Sequence, residues 1–140
     1  MQEKVVFDTI VYIGVFSNGL FQDQINGFNK IMSLAHPVLH ELWIGAKGKK
    51  EINHLIRFGA RFINLQRLVV PAPSTQILIG KACQKLRSSG ELDASFPRIY
   101  NDVSIALLAR QIGATVVTRN ISDFEKIHKV VDFGFREVIV

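Results

Sequence analysis

The sequence predicts an α/β protein in which helices alternate with the strands of a parallel sheet. Short β-branched and aromatic runs, such as Lys4–Phe7 and Thr115–Thr118, each end in polar residues that lead into a helix. Longer segments with apolar positions at helical spacing separate these runs, and this alternation is typical of parallel sheets. Because the chain has 140 residues, 48% of them apolar and 21% charged, we expect one domain over residues 1–140 with a single core.

The first half of the chain is predicted to begin with the central strand of the sheet, Lys4–Phe7, which ends on Asp8. A helix over Thr9–Phe16 follows and is stopped by a Ser-Asn-Gly turn. The next predicted elements are a strand at Ile31–Ala35, a helix that starts at Pro37 and runs to Ala46, a helix from Glu51 to about Phe58 and a short strand at Phe62–Leu65.

The second half is organised around residues 101–124, which read NDVSIALLARQIGATVVTRNISDF. A helix is predicted to open on Asp102 and to be largely buried, because Val103 to Ile112 is apolar almost all round. The strand Thr115–Thr118 comes next, and a further helix begins near Ser122. Outside this stretch we expect a helix over Thr75–Arg87 capped by Ser74, an irregular loop over Glu91–Arg98 and an edge strand at Arg136–Val140.

Charge and cysteine content limit the classes of function. A formal net charge of +5 makes a polyanion a candidate partner. The single cysteine, Cys83, excludes an internal disulfide framework and a thiolate zinc site. The N-terminal residues lack the pattern of a signal peptide, and the apolar run Ile10–Phe16 is too short to cross a bilayer. We therefore expect a cytoplasmic protein.

Three aspartates follow or begin predicted elements in a way that suggests a site. Asp8 and Asp123 lie where a strand ends and a helix begins, and Asp102 is expected at a helix start. In open parallel α/β sheets, ligands bind at the carboxyl ends of the strands. The alternative is structural, since acids in the first turn of a helix are favoured and Ser122 with Glu125 fits a capping box.

Glu41 is the fourth acid with an unusual position. Its helical neighbours are Val38, Ile44 and Gly45 instead of the basic residues expected around a solvated glutamate. A carboxylate on an apolar face is costly unless it is paired. The flanking His36 and His40 do not form a zinc motif with it.

If these four acids meet, their mutual repulsion must be offset by cations. Hard oxygen ligands select Mg²⁺ or Mn²⁺, which activate water and stabilise both oxygens of a phosphoryl displacement. Without metal, one of the clustered acids should titrate at high pH. Lys47, Lys49, Arg57 and Arg119 are either phosphate contacts or part of a solvated surface.

Four short motifs resemble those of PIN-domain proteins, and their size and order resemble those of the VapC-type toxins. They read FDT at Asp8, HELWIGA at Glu41, NDVSIALLA at Asp102 and TRNISDF at Asp123. The resemblance implies a three-layer α/β/α sandwich with a mostly parallel sheet, and an Mg²⁺- or Mn²⁺-dependent ribonuclease that cleaves RNA. It implies that these four acids hold the metal, that Asn120 belongs to the catalytic set, and that Thr118 and Thr9 match the family's hydroxyl positions.

The family also implies two protein partners. One is a small cognate antitoxin that inserts a basic side chain among the acids. The other is a second copy of the chain in a homodimer, which the apolar surplus of the first helix and its surroundings also suggests. The residues in question are Ile10, Val11, Ile13, Val15, Phe16, Phe21 and Phe28.

Some positions depart from the family pattern, and two other classes of function remain open. Ile10 replaces a polar residue, the third motif is poorer in alanine, and Pro37 lies unusually close to the second acid. One alternative is a non-catalytic PIN-like module that binds RNA or protein. The other is a nucleotide- or small-molecule-binding domain, although neither a G-x-G-x-x-G pattern nor a P-loop is present.

Overall fold

The computed structural model describes residues 2–18, 29–90 and 96–138. Its strands form one sheet in the order β3-β2-β1-β4-β5, and every pairing is parallel. The prediction that the first strand is central is therefore confirmed, as is the edge position of the last. The strands are β1 Glu3–Phe7, β2 Lys30–Ala35, β3 Leu68–Val69, β4 Thr115–Thr118 and β5 Phe135–Glu137.

Helices cover both faces of this sheet, which confirms the predicted α/β/α architecture. The chain first moves outward from β1 to β3 and then returns to β4 and β5 on the other side of β1. Because such crossovers are right-handed, reversing the direction places the later helices on the opposite face. The helices are α1 Thr9–Asn18, α2 His36–Ile44, α3 Gly48–Asn64, α4 Pro73–Ser88, α5 Phe96–Gln111 and α6 Ile121–His128.

The core lies between α5 and the central strands. Every residue of α5 from Val103 to Ala109 is buried, and so are Val5 to Phe7 of β1 and Val116 and Val117 of β4. Strands that are covered on both faces need continuous apolar runs of this kind. The result is a rigid support for the carboxyl ends of β1 and β4, where the chain turns into α1 and α6.

The strand predicted at Phe62–Leu65 is wrong. Helix α3 continues to Asn64, and Phe62 is buried on the same stripe as Leu55 and Gly59. These spacings of four and three residues are helical. The strand of this region is the two-residue β3, Leu68–Val69.

Two predicted helix starts also differ from the structure, whereas the start predicted near Ser122 agrees with that of α6. Helix α5 begins at Phe96, so Asp102 lies well inside it. The last three residues of the predicted loop Glu91–Arg98 are therefore helical, and residues 91–95 lie outside the described residues. Helix α4 begins at Pro73, which places Ser74 inside it, and α6 begins at Ile121 with Asn120 as its N-cap. In α4 and α5 a proline at the first or second helical position sets the start.

The apolar side chains of α1 that suggest a homodimer are divided between the core and the surface. Val11 is fully buried, whereas Ile10, Ile13 and Phe16 are 43%, 46% and 37% exposed. Phe21 and Phe28, which contribute to the same prediction, lie outside the described residues. Across residues 2–18, 29–90 and 96–138, the helices are all too short or too polar to traverse a bilayer.

Candidate active site

The candidate site lies where the order of the strands reverses. β1 and β4 are neighbours, although the chain reaches β4 only after building the other half of the sheet. Asp8 follows β1, and its backbone N–H donates to the carbonyl of Val117 in β4 at 3.0 Å. Asn120 and Asp123 follow β4. In open α/β sheets this reversal leaves a crevice at the carboxyl ends of the strands, which is the usual place for a ligand.

Asp8 is buried and hydrogen-bonded by neutral groups. Its side chain accepts a hydrogen bond from Thr118 Oγ1 at 2.8 Å, and the backbone amides of Thr9 and Ile10 also donate to it. Burial raises the pKa of Asp8; these hydrogen bonds oppose the rise, and the charge of Asp123 adds to it. Neutral donors thus hold the carboxyl in place.

Thr118, Asn120 and Asp123 form the second part of the site. The fully buried Thr118 hydroxyl accepts a hydrogen bond from the Asn120 backbone N–H at 2.9 Å while it donates to Asp8. The Asn120 amide donates to Asp123 Oδ2 at 2.9 Å and its Oδ1 accepts from the Ser122 hydroxyl at 3.0 Å. Ser122 therefore orients Asn120 instead of heading the capping box that its spacing with Glu125 suggests.

Glu41 joins the cluster from α2. The hydroxyl of Thr9, the residue after Asp8, donates to Glu41 Oε1 at 3.1 Å. Burial raises the pKa of Glu41, the Thr9 hydrogen bond lowers it, and the charge of Asp8 raises it further. Glu41 is thus close enough to Asp8 for the charge of one carboxylate to affect the pKa of the other.

Asp102 is the most strongly perturbed acid of the group. Its pKa is raised to about 8, chiefly by burial and in addition by the charges of Asp8, Asp123 and Glu41, while the positive charge of Arg98 opposes the rise. The four predicted acids are therefore close enough to influence one another. The expectation that one clustered acid titrates at high pH agrees with this value.

Arg98 is a member of the site that the sequence analysis misses. It lies one helical turn before Asp102, and its guanidinium donates to Asp123 Oδ2 at 2.5 Å, with side-chain exposures of 61% for Arg98 and 11% for Asp123. The signal for it is Pro97, a favoured residue in a first helical turn. A helix that starts there places Arg98 and Asp102 on one face.

The donor chemistry of the cluster suits a hard divalent cation, because all four acids offer carboxylate oxygens and the pKa values of Asp8, Glu41 and Asp102 are raised. In the part of the chain that the structure describes, however, no three His, Cys, Asp or Glu side chains form a ready-made ligand set. Asp123 points at Arg98 and Asn120, and Asp8 points at Thr118. Asp8, Asp123 and Glu41 thus each have a carboxylate oxygen that accepts a hydrogen bond from a protein donor.

Comparisons with known proteins identify the fold. No family model and no curated protein sequence matches this chain. A chain of the VapBC2 complex from Rickettsia felis, solved with a DNA fragment from its promoter, superposes with a TM-score of 0.69 at 20% identity, over 96% of this chain and 98% of that one.

Two further solved structures give the same result. DNA-bound VapBC from Salmonella typhimurium has a TM-score of 0.67 at 22% identity, over 99% of this chain and 100% of that one. FitAcB from Neisseria gonorrhoeae has a TM-score of 0.69 at 20% identity, over 94% and 95%. The chain thus has the PIN-like fold of its VapC-type structural neighbours, which confirms the resemblance in its motifs at the level of fold.

Proposed function

We propose that this protein is a metal-dependent endoribonuclease, the toxin of a VapC-type toxin–antitoxin pair. The observation that carries the proposal is the meeting of Asp8, Glu41, Asp102 and Asp123 at the strand reversal of a PIN-like fold. Structural acids at helix starts are solvated or paired with cations, whereas Asp8, Glu41 and Asp102 are partly desolvated and have raised pKa values, to which the charges of neighbouring acids contribute. That arrangement is typical of a functional site.

Asp8, Glu41, Asp102 and Asp123 would hold Mg²⁺ or Mn²⁺ through their carboxylates. When bound, such a cation activates water and stabilises the charge that develops on a phosphodiester during hydrolysis. The protein's own share is to orient the ligands: Thr118 fixes Asp8, Thr9 fixes Glu41, and Asn120 fixes Asp123. Residues locked by such secondary hydrogen bonds keep their geometry when charge is introduced.

Arg98 supplies positive charge next to Asp123 and Asp102, and this charge opposes the binding of a cation by these acids. If the acids held a divalent ion instead, the guanidinium, already 61% exposed, would contact a phosphate oxygen of the RNA. The family resemblance gives an antitoxin the same means of inhibition, since a basic side chain inserted among the acids opposes metal binding.

Other parts of the proposal concern partners and location. The net charge of +5 favours binding of an RNA backbone. The exposed Ile10, Ile13 and Phe16 of α1 support a homodimer. The VapBC and FitAB neighbours are complexes with a second protein, which supports a small antitoxin partner for this chain. A ribonuclease toxin of this kind would act in the cytoplasm.

RNA cleavage tests the central proposal. Purified protein should cleave single-stranded RNA with Mg²⁺ or Mn²⁺, stop in EDTA and recover when metal is restored. Asp8→Asn should lose activity while remaining folded; Asp132→Asn, at an aspartate whose side chain is 98% exposed, is the matched control. Equal cleavage by Asp8→Asn and the control would disprove the assigned site. RNA binding without any cleavage would favour the non-catalytic PIN-like module.

Two solution measurements test the proposed partners. Light scattering of the pure protein should give the mass of a dimer, and an Ile13→Asp substitution on the exposed face of α1 should yield a monomer. Co-expression with a neighbouring small gene should give a complex that survives purification and suppresses cleavage. A monomeric wild-type protein would disprove the proposed homodimer. If the product of the neighbouring gene neither binds nor inhibits the protein, the proposed antitoxin would be disproved.

A further inference from the structure

A cavity of about 370 Å³ lies beside the acid cluster, between α2, α4 and α5. Glu41 belongs to both, because its carboxylate faces the acids while the residue lines the cavity. The floor includes the buried Ser104 and Ile79. The side chains that give the cavity its chemical character are His36, His40, Ile44, Gln76, Tyr100 and Asn101.

This lining combines flat rings with amide groups, and among the residues that the structure describes it contains no lysine, arginine or aspartate. On α2 the imidazoles of His36 and His40 lie with ring centroids 5.3 Å apart and planes at 62°. Tyr100 of α5 lines the same cavity and is 45% exposed. Gln76 and Asn101 supply amides that both donate and accept hydrogen bonds. Aromatic faces and amides are the groups with which proteins stack and read unpaired bases.

The position of the cavity ties it to the acids through two helices. His40 is adjacent to Glu41 on α2, and Asn101 is adjacent to Asp102 on α5. A strand of RNA whose phosphate reaches the acids therefore has the cavity directly next to that phosphate. A volume of about 370 Å³ is near the lower end of the ~300–1,000 Å³ range of ligand pockets, which suits one base and its sugar better than a longer segment.

We propose that this cavity binds one unpaired nucleobase of the RNA strand, next to the phosphodiester bond that the acid cluster cleaves. The inference rests on the proposed nuclease function and adds a substrate contact to it. The base stacks on the His40 and Tyr100 side of the cavity, and Gln76 and Asn101 hydrogen-bond its edge. Cleavage is then restricted to unpaired RNA and acquires a preference for the base that fits.

The four histidines allow a direct test in the wild-type protein. His36 and His40 line the cavity, whereas His54 packs on Phe16 and Phe58, and His128 on Phe133 and Phe135. NMR spectra of the histidine Cε1–H groups should be followed in EDTA while each nucleoside 5′-monophosphate is added. Ribose 5-phosphate, which lacks a base, is the control. We expect saturable shifts of His36 and His40 with nucleotides only, while His54 and His128 stay in place.

Variants locate the effect in the cavity. Gln76→Trp should fill it and weaken nucleotide binding roughly tenfold, as loss of one stacked base does. Ile77→Trp, at the next position of α4 and 61% exposed, is the control that leaves binding unchanged. Asp8→Asn, at an acid outside the cavity, should leave the nucleotide-induced shifts of His36 and His40 in place.

The outcomes separate this inference from the nuclease proposal. Nucleotide shifts at His36 and His40 without RNA cleavage would support the base site and remove the nuclease. Cleavage without such shifts would leave the nuclease and overturn the base site. Equal shifts with ribose 5-phosphate would also overturn it. So would histidines that respond to a protein partner but to no nucleotide, because the cavity would then be a protein-docking site.

Discussion

The two ends of β1 both carry a carboxylate, and the two carboxylates have opposite surroundings. At the amino end, Glu3 is bound by Arg136 through two hydrogen bonds, from Nη2 to Oε1 at 3.1 Å and from Nε to Oε2 at 3.3 Å. At the carboxyl end, Asp8 receives hydrogen bonds from Thr118 and from backbone amides, all of them neutral donors. Beyond it lie three more acids, with Arg98 as the cation that acts on Asp102 and Asp123.

The difference shows how a structural acid can be told from a functional one in this fold. Glu3 is matched by a guanidinium at the surface, so its charge is neutralised locally. At the other end four acids meet Arg98, and burial and mutual repulsion raise the pKa values of Asp8, Glu41 and Asp102. Burial and mutual repulsion of carboxylates cost free energy. A folded protein tolerates this cost at a site where a bound cation offsets it.

Cleavage activity should separate the two ends most sharply. Asp102→Asn keeps the shape of the side chain but removes a ligand charge, so we expect RNA cleavage to fall by about a hundredfold or more. Glu3→Gln, at the other end of β1, should keep wild-type activity. Initial rates on one RNA substrate with saturating Mn²⁺ provide the measurement. A comparable loss in both variants would mean that the fold, not the acid cluster, is the source of the effect.

The dependence of stability on pH should be the next largest effect. The folded-state pKa of Asp102, about 8, is raised above its ordinary value of 3.8. The folded state therefore holds this proton more tightly than the unfolded state. Its stabilising contribution is complete below about pH 4 and is lost as pH rises through about 8.

The Asp102→Asn variant should not lose stability in this way as pH rises, because an amide cannot ionise. In EDTA, the variant should gain stability over the wild type as pH rises from about 4 to 8, by at most about 5 kcal/mol if 1.36 kcal/mol applies per pKa unit. Urea unfolding at several pH values measures this difference. Stability curves that run parallel for the two proteins would contradict the raised pKa, and Glu3→Gln should not produce the divergence.

The stabilisation of the fold by a bound metal should depend on the acids at the carboxyl end of β1 and not on Glu3 at the amino end. At a free Mn²⁺ concentration a hundred times its Kd, binding to the folded state adds about 2.7 kcal/mol. The gain should be larger at pH 8 than at pH 6, because protons compete for Asp102 below its pKa of about 8. Thermal unfolding with and without Mn²⁺ tests this in Glu3→Gln, which should respond like the wild type, and in Asp8→Asn, which should respond little. A response in Asp8→Asn as large as the wild type's would place the metal elsewhere.

The contrast between the two ends also explains how much of the site could be predicted from sequence. The positions of Asp8 and Asp123 follow from local patterns, because each comes after a short apolar strand. The hydrogen bond from Thr118 to Asp8 joins residues 110 positions apart, and spacing carries no information about such a contact. The order of strands, which brings β1 and β4 together, is equally non-local, although the family motifs imply it.

The errors in the predicted elements have physical causes as well. Phe62–Leu65 has strand-like composition, but Leu55 and Phe62 complete an apolar stripe that keeps it helical. β3 has two residues and so no periodicity to detect. The sequence pattern predicts a start of helix α5 at Asp102, where an acid would suit the first turn, whereas Pro97 marks the beginning of the helix. A helix that starts at Asp102 does not contain Arg98, so the sequence pattern does not predict that Arg98 belongs to the site.

Removing the neutral donor of Asp8 should have a smaller but measurable effect. Thr118→Val deletes the buried hydroxyl that donates to Asp8 and accepts from the Asn120 N–H. Leaving these partners unsatisfied should cost roughly 1–3 kcal/mol in the free energy of unfolding. Thr115→Val, at the half-buried first residue of the same strand, is the matched control. Similar costs for the two variants would show that the Thr118 hydroxyl contributes nothing specific to the site.

The smallest effect is expected from the ion pair at the amino end. Glu3 and Arg136 have side-chain exposures of 40% and 29%, so solvent and salt screen their attraction. A double-mutant cycle with Glu3→Gln and Arg136→Gln should give a coupling of about 1 kcal/mol or less that weakens as salt is added. Urea unfolding at two salt concentrations measures it, and cleavage should not change in either variant. A coupling of several kcal/mol, or a loss of cleavage, would mean that the two ends of β1 are linked and that the amino end is not merely structural.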